Sequence, residues 1–85
     1  MIRKFSYDSE VDAAYIQLTD DTVLDSEEIA NGIVVDYNDR DDIVAIELLD
    51  TKKITPESFF KLKSLLPEST ITMLQEFNLF SKQLC

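Results

Sequence analysis

A chain of 85 residues with seventeen Asp and Glu and no His has one abundant side chain for chemistry, the carboxylate. Without His there is no ordinary general base near neutral pH, no Ser-His or Cys-His nucleophile pair and no imidazole metal ligand. The single glycine, Gly32, is too few for a phosphate-cradling loop. The single cysteine, Cys85, can build neither a thiolate zinc site nor an intrachain disulfide, which fits a reducing compartment. No cofactor is implied. Any catalysis would rest on carboxylates, Tyr or Lys.

The acids of the first fifty residues that bear on chemistry fall into three groups. Asp8, Glu10 and Asp12 surround a turn, where Asp side chains bond their own backbone. The second group runs from Asp36 through Asn38 and Asp42 to Glu47. These four occupy spacings 1, 3, 7 and 12 of a calcium-loop pattern. Arg40 holds the third ligand position and Asp41 the place of the turn glycine, so the segment reads as a hairpin tip and no metal site is expected. The third group is the pair Asp36 and Glu47. Two acids brought together raise one pKa and can serve acid/base chemistry. The same pair can take a Lys or Arg from a partner, or belong to a solvated sheet face.

The elements that would position these acids follow from periodicity. Phe5 and Tyr7 alternate with Lys4 and Ser6; Ala14, Ile16 and Leu18 alternate with Ala13, Tyr15 and Gln17. A period of two predicts strands with one buried face. Residues 23–29 read as a weaker strand whose Asp25, Glu27 and Glu28 suit a sheet edge. Asn31-Gly32 is a turn signal. With a four-residue loop at 39–42, Ile33, Val35 and Tyr37 share a face with Val44, Ile46 and Leu48. Val34 and Asp36 then lie beside Ala45 and Glu47 on the other face, with Asp36 and Glu47 as diagonal neighbours. A one-residue slip would mix acids into the apolar face, so the pattern selects this register.

After Asp50 the period becomes helical. Thr55-Pro56 is a cap followed by a proline at the first helical position. Phe59, Leu62, Leu65 and Leu66 line the helix that follows, and Pro67 ends or restarts it. Ser69 is expected to cap a second helix, striped by Met73, Leu74, Phe77, Phe80 and Leu84. The fold class expected is α+β: an antiparallel β-meander of four or five strands, followed by two C-terminal amphipathic helices packed on the sheet. All 85 residues form a single domain, an acidic meander over 1–50 and a helical tail over 51–85. The expected core joins Tyr7, Ile16, Leu18, Ile33, Val35, Tyr37, Val44, Ile46 and Leu48 to Phe59, Leu62, Met73 and Phe77.

Charge bounds the partners. Residues 1–50 carry a balance of −11 and residues 51–85 one of +2, within a net −9. Nucleic-acid affinity comes mainly from Lys and Arg releasing counterions, so nucleic acid is not expected as a partner. A basic protein is the natural complement. No apolar run approaches the ~20 residues of a membrane span, and residues 1–6 lack a signal-peptide core, so a cytoplasmic location and no membrane are expected. Apolar residues are left over on both layers: Tyr15 and Val34 on the outer sheet face, Phe60 and Leu79 on the helices. With Asp36 and Glu47 they make up the candidate interaction surface. Leftover apolar surface on a short chain predicts a homo-oligomer, a dimer foremost, tightening as salt screens the charge.

Two runs carry a resemblance. The first is Tyr7-Asp8-Ser9-Glu10-Val11-Asp12-Ala13-Ala14-Tyr15-Ile16-Gln17-Leu18. The second is Gly32-Ile33-Val34-Val35-Asp36, followed by Ile46-Glu47-Leu48-Leu49. Over about residues 3–52 the chain resembles the small bacterial domains grouped as domain of unknown function 2283. It departs at the hairpin tip, where that family usually has a glycine, and at Ala45, where glycine is common. The resemblance implies no established activity. Its members look like partners of small ribonuclease toxins in some gene pairs, which implies an antitoxin-like role. The residues and the resemblance together predict an interaction module without catalysis. An acidic neutraliser of a basic ribonuclease toxin is its sharpest version, and a carboxylate enzyme using Asp36 and Glu47 the alternative from another class.

Overall fold

The computed structural model describes residues 3–76. Five strands form one antiparallel sheet: β1 (Lys4–Asp8), β2 (Ala13–Gln17), β3 (Asp25–Ala30), β4 (Ile33–Tyr37) and β5 (Ile43–Leu49). Their order across the sheet is β1-β2-β5-β4-β3. The β3-β4-β5 meander returns β5 to the side of β2, and residues 18–24 carry the chain from β2 to the far edge. Both Leu18 and Thr19 donate their backbone N–H to the Val44 carbonyl as this connection leaves, at 2.8 and 3.2 Å. The chain is therefore an α+β domain: past β5 come a 3-10 turn at Thr51–Lys53, α1 (Pro56–Lys63) and α2 (Glu68–Glu76).

Local chemistry sets the boundaries. Thr55 caps α1, its hydroxyl accepting from Ser58 N at 3.1 Å, and Pro56 takes the first helical position. The start of α2 differs from expectation. The Pro67 carbonyl accepts from Thr70 and Ile71, so α2 begins at Glu68 and Ser69 lies inside it.

The central register agrees with the alternation: Ile33 faces Leu48, Val35 faces Ile46, Val34 faces Glu47 and Asp36 faces Ala45. It then shifts, so that Tyr37 faces Ile43 rather than Val44. Val44 is left over on β5 as the extra residue of a bulge, buried, its carbonyl taken by Leu18 and Thr19. The cause lies at the hairpin tip. Asn38 N donates to the Asp42 carbonyl, and the Asn38 side-chain oxygen accepts from Arg40 N and Asp42 N at 2.8 and 2.9 Å. This closes a tighter tip than an even four-residue loop.

The core lies between the sheet and the helical layer. Ala14, Ile16, Ile33, Ile46 and Leu48 pack with Ile54, Phe59, Leu62, Leu66 and Ile71. Expectation and structure part at two expected core residues and at one residue of the α1 stripe. Tyr7 is 42% exposed, because β1 is an edge strand. Tyr37 is half-buried beside the other edge. Leu65 is 44% exposed, because α1 ends at Lys63 and the chain leaves the helical stripe before it. Met73, Leu74 and their successors on that stripe, Phe77, Phe80 and Leu84, lie outside the residues whose side chains are described, as do Leu79 and Cys85.

Candidate functional site

The face of the sheet turned away from α1 carries the candidate residues. One cross-strand row runs Ser6, Tyr15, Glu47, Val34, Glu28, and the next runs Lys4, Gln17, Ala45, Asp36, Ser26. Tyr15, Val34, Asp36 and Glu47 therefore come together around β5. Phe60 does not join them: it is 68% exposed on α1, on the helical side. Leu79 lies outside the described residues.

Asp36 is not the solvated acid that a sheet face suggests. It is only 4% exposed, and its carboxylate accepts from the Ser26 hydroxyl at 2.6 Å. Glu47 is half-buried one row away. Burial raises its pKa first, and a hydrogen bond to Asp36 and the Asp36 charge raise it further. Tyr15 completes the group. Burial lifts its phenol pKa, and the charges of Asp36 and Glu47 add to the shift. The cations Arg3 and Arg40 are engaged elsewhere, Arg3 with Asp20 and Arg40 at the hairpin tip. Sequence reasoning placed Asp36 and Glu47 but missed Ser26. Its position opposite Asp36 depends on the bulge in β3 near Ile29, which no residue pattern marks.

Two shallow depressions flank this face. One of about 300 Å³ lies over the β1–β2 end and is lined by Tyr15, Glu47, Val11 and Leu49. The other, about 340 Å³, sits at the hairpin tip between Asp21, Leu24, Asn38 and Arg40. Asp36 lines neither. Among the described residues no group of three or more acids or Cys converges as a metal-binding cluster would.

The first acidic group proves to be a fastening. Asp12 has a left-handed backbone (φ 53°) and its carboxylate accepts from Tyr7 Oη at 2.6 Å, from the Thr51 hydroxyl and from Lys52 N at 3.0 Å. It ties the β1–β2 turn to the segment after β5. The Thr51 and Tyr7 hydrogen bonds, then that of Lys52 N, hold its pKa down to about 2, against 3.8 for a free Asp. A carboxylate whose pKa is lower folded than unfolded stabilises the fold where it is ionised. That contribution is complete above pH 3.8 and fades as pH falls toward 2. Asp12→Asn keeps the shape and removes the charge. We expect its melting temperature to lie below the parent's at neutral pH, with the gap narrowing between pH 4 and 2. A gap that stays constant across that range would remove the role given to the charge.

A helix-backed antiparallel sheet whose other face carries acidic and aromatic side chains defines the class of domain. The family described as "Protein of unknown function (DUF2283)" matches residues 4–52, and the chain belongs to it. No curated protein and no solved structure matches the chain. The matched segment spans the five strands and ends in the 3-10 turn that Asp12 fastens, so α1 and α2 lie beyond it. No helix among the described residues is long and apolar enough to cross a membrane.

Proposed function

We propose that this protein is a non-catalytic binding module of the cytoplasm, whose outer sheet face receives a cationic side chain of a partner protein. The observation that carries the reading is Glu47, set between Tyr15 and Val34 on strands that adjoin, with Asp36 one row away. A Lys or Arg placed there offsets the crowded negative charge, while Tyr15 and Val34 supply apolar contact. Arg is favoured, because its planar group both pairs with carboxylates and stacks on an aromatic ring. The open shape of the neighbouring depression supports binding over catalysis, since a carboxylate enzyme needs a walled, partly dry pocket. The helical tail serves as an amphipathic backing layer on the opposite face. The net charge of −9 supports a basic partner, and an antitoxin-like neutraliser of a basic ribonuclease is the sharpest form of the proposal.

A photo-crosslinker placed at position 15, with a control at exposed Glu57, tests this in native lysate. The expected result is one basic protein captured from position 15 alone, and lost when Glu47→Lys is added. Equal capture from both positions, or an acidic partner, would overturn the proposal. Binding should also weaken as pH falls through the raised Glu47 pKa, because protonating Glu47 removes one of the negative charges that attract the cation.

A further inference from the structure

We propose that β1 is a self-complementary edge, through which two copies of the chain join their sheets in antiparallel fashion about a two-fold axis at Ser6. β1 pairs with β2 along one side, and no strand among the described residues lies along its other side. All of its residues except Phe5 are exposed. Antiparallel pairing of Lys4-Phe5-Ser6-Tyr7-Asp8 with a second copy, centred on Ser6, sets Lys4 opposite Asp8 and Phe5 opposite Tyr7, each twice. The charges complement each other. Both aromatic pairs fall on the helical side of the sheet, the side on which Phe5 already packs against the core. Ser6 meets Ser6 at the axis. Opposite charges, aromatic pairs and hydroxyl pairs are the cross-strand combinations that stabilise an antiparallel ladder.

The other edge explains why the joining stops at two. β3 carries Asp25, Glu27 and Glu28 among six residues. Paired with its own copy it would set acid against acid, which guards the edge. Isologous β1 pairing thus leaves only acidic edges exposed, and the assembly closes as a dimer with a ten-stranded sheet. The two-fold axis stands perpendicular to the sheet, so both outer faces look the same way.

Charge exchange tests the pairing. Mass and dissociation constant are measured by analytical ultracentrifugation of the 85-residue chain near 0.15 M salt, where repulsion between two chains is screened beyond about 8 Å. Lys4→Asp and Asp8→Lys each set like charges opposite one another twice, and each is expected to weaken the dimer about tenfold. The double variant K4D/D8K restores opposite charges in the exchanged order and is expected to recover the dimer. Circular dichroism of each variant checks that the monomer fold persists. A chain that stays monomeric at millimolar concentration overturns the proposal. So does a dimer indifferent to both single changes, or one that the double variant fails to restore. A dimer broken instead by Tyr15→Glu, with the charge exchanges silent, overturns it too, because it moves the contact to the outer sheet face.

Discussion

Gly32→Ala is expected to destabilise the domain by about 2–4 kcal/mol, the sum of a left-handed backbone penalty and an overpacking cost. Gly32 has φ +83° in the turn between β3 and β4, and Asn31 before it keeps a negative φ, so this one residue carries the reversal. The space is closed as well as the dihedral. A β-carbon at position 32 would lie 2.7 Å from the Leu49 carbonyl oxygen, a backbone atom held at the end of β5. Leu49 N also donates to the Gly32 carbonyl at 2.8 Å, so the two segments cannot separate without breaking that bond. For a domain of this length the loss lowers the melting temperature by roughly 10–25 °C. Gly32→Asn relieves part of the dihedral penalty and none of the contact, so it should fall between the two. Chemical denaturation of the three chains checks this. A change below about 0.5 kcal/mol for Gly32→Ala, the size of an ordinary surface substitution, would rule out this turn conformation.

The second large effect is in the core. Ile46 is completely buried on β5, facing Val35 on one side and Ile16 on the other. It packs in the cluster that also holds Phe59 and Leu62 of α1. Ile46→Ala removes its apolar contacts and leaves a cavity that two neighbouring strands and a helix cannot all collapse to fill. The expected loss is roughly 2–5 kcal/mol. Small domains bury a lesser share of their surface, and total stability is often only 5–15 kcal/mol, so this approaches unfolding at ordinary temperature. Ile46→Val should cost about 0.5–1.5 kcal/mol and serves as the graded control. A loss under about 1 kcal/mol for alanine would place Ile46 outside the core and undo the register of β4 on β5.

That register was legible because slippage has a visible consequence. Moving β5 by one residue would bring Glu47 to the apolar face, and the alternation at 33–36 and 45–48 forbids it. The bulge at Val44 was not legible. It depends on how Asn38 closes the tip, and the Asn38 side chain is itself held by Asp21, seventeen residues earlier, at 3.0 Å. The neighbour relation of β2 and β5 was left open for a similar reason. Alternation states which face of a strand is buried and says nothing about which strand lies beside it. The candidate site divides along the same line. Asp36 and Glu47 belong to one hairpin, so their spacing could be worked out from local register. Ser26 and the Thr51 hydroxyl on Asp12 arrive from distant segments, and their partners become visible only once the sheet order is known.

Three aspartates, Asp12, Asp41 and Asp50, have left-handed backbones, a conformation that Asp and Asn enter more readily than other side chains with a β-carbon. The carboxylate of Asp12 is in use, but that of Asp50 makes no capping bond at the 3-10 turn it precedes. At Asp50, and on the same backbone grounds at Asp41, the acid is a consequence of turn shape, and Asn would meet the same steric demand. Some of the chain's negative charge is therefore a by-product of geometry. Sequences sharing this backbone are free to drift in net charge, for instance from −9 to −7 by exchanging Asp41 and Asp50 for Asn, without displacing a strand. Selection on electrostatics would then be recorded in the acids that no turn requires.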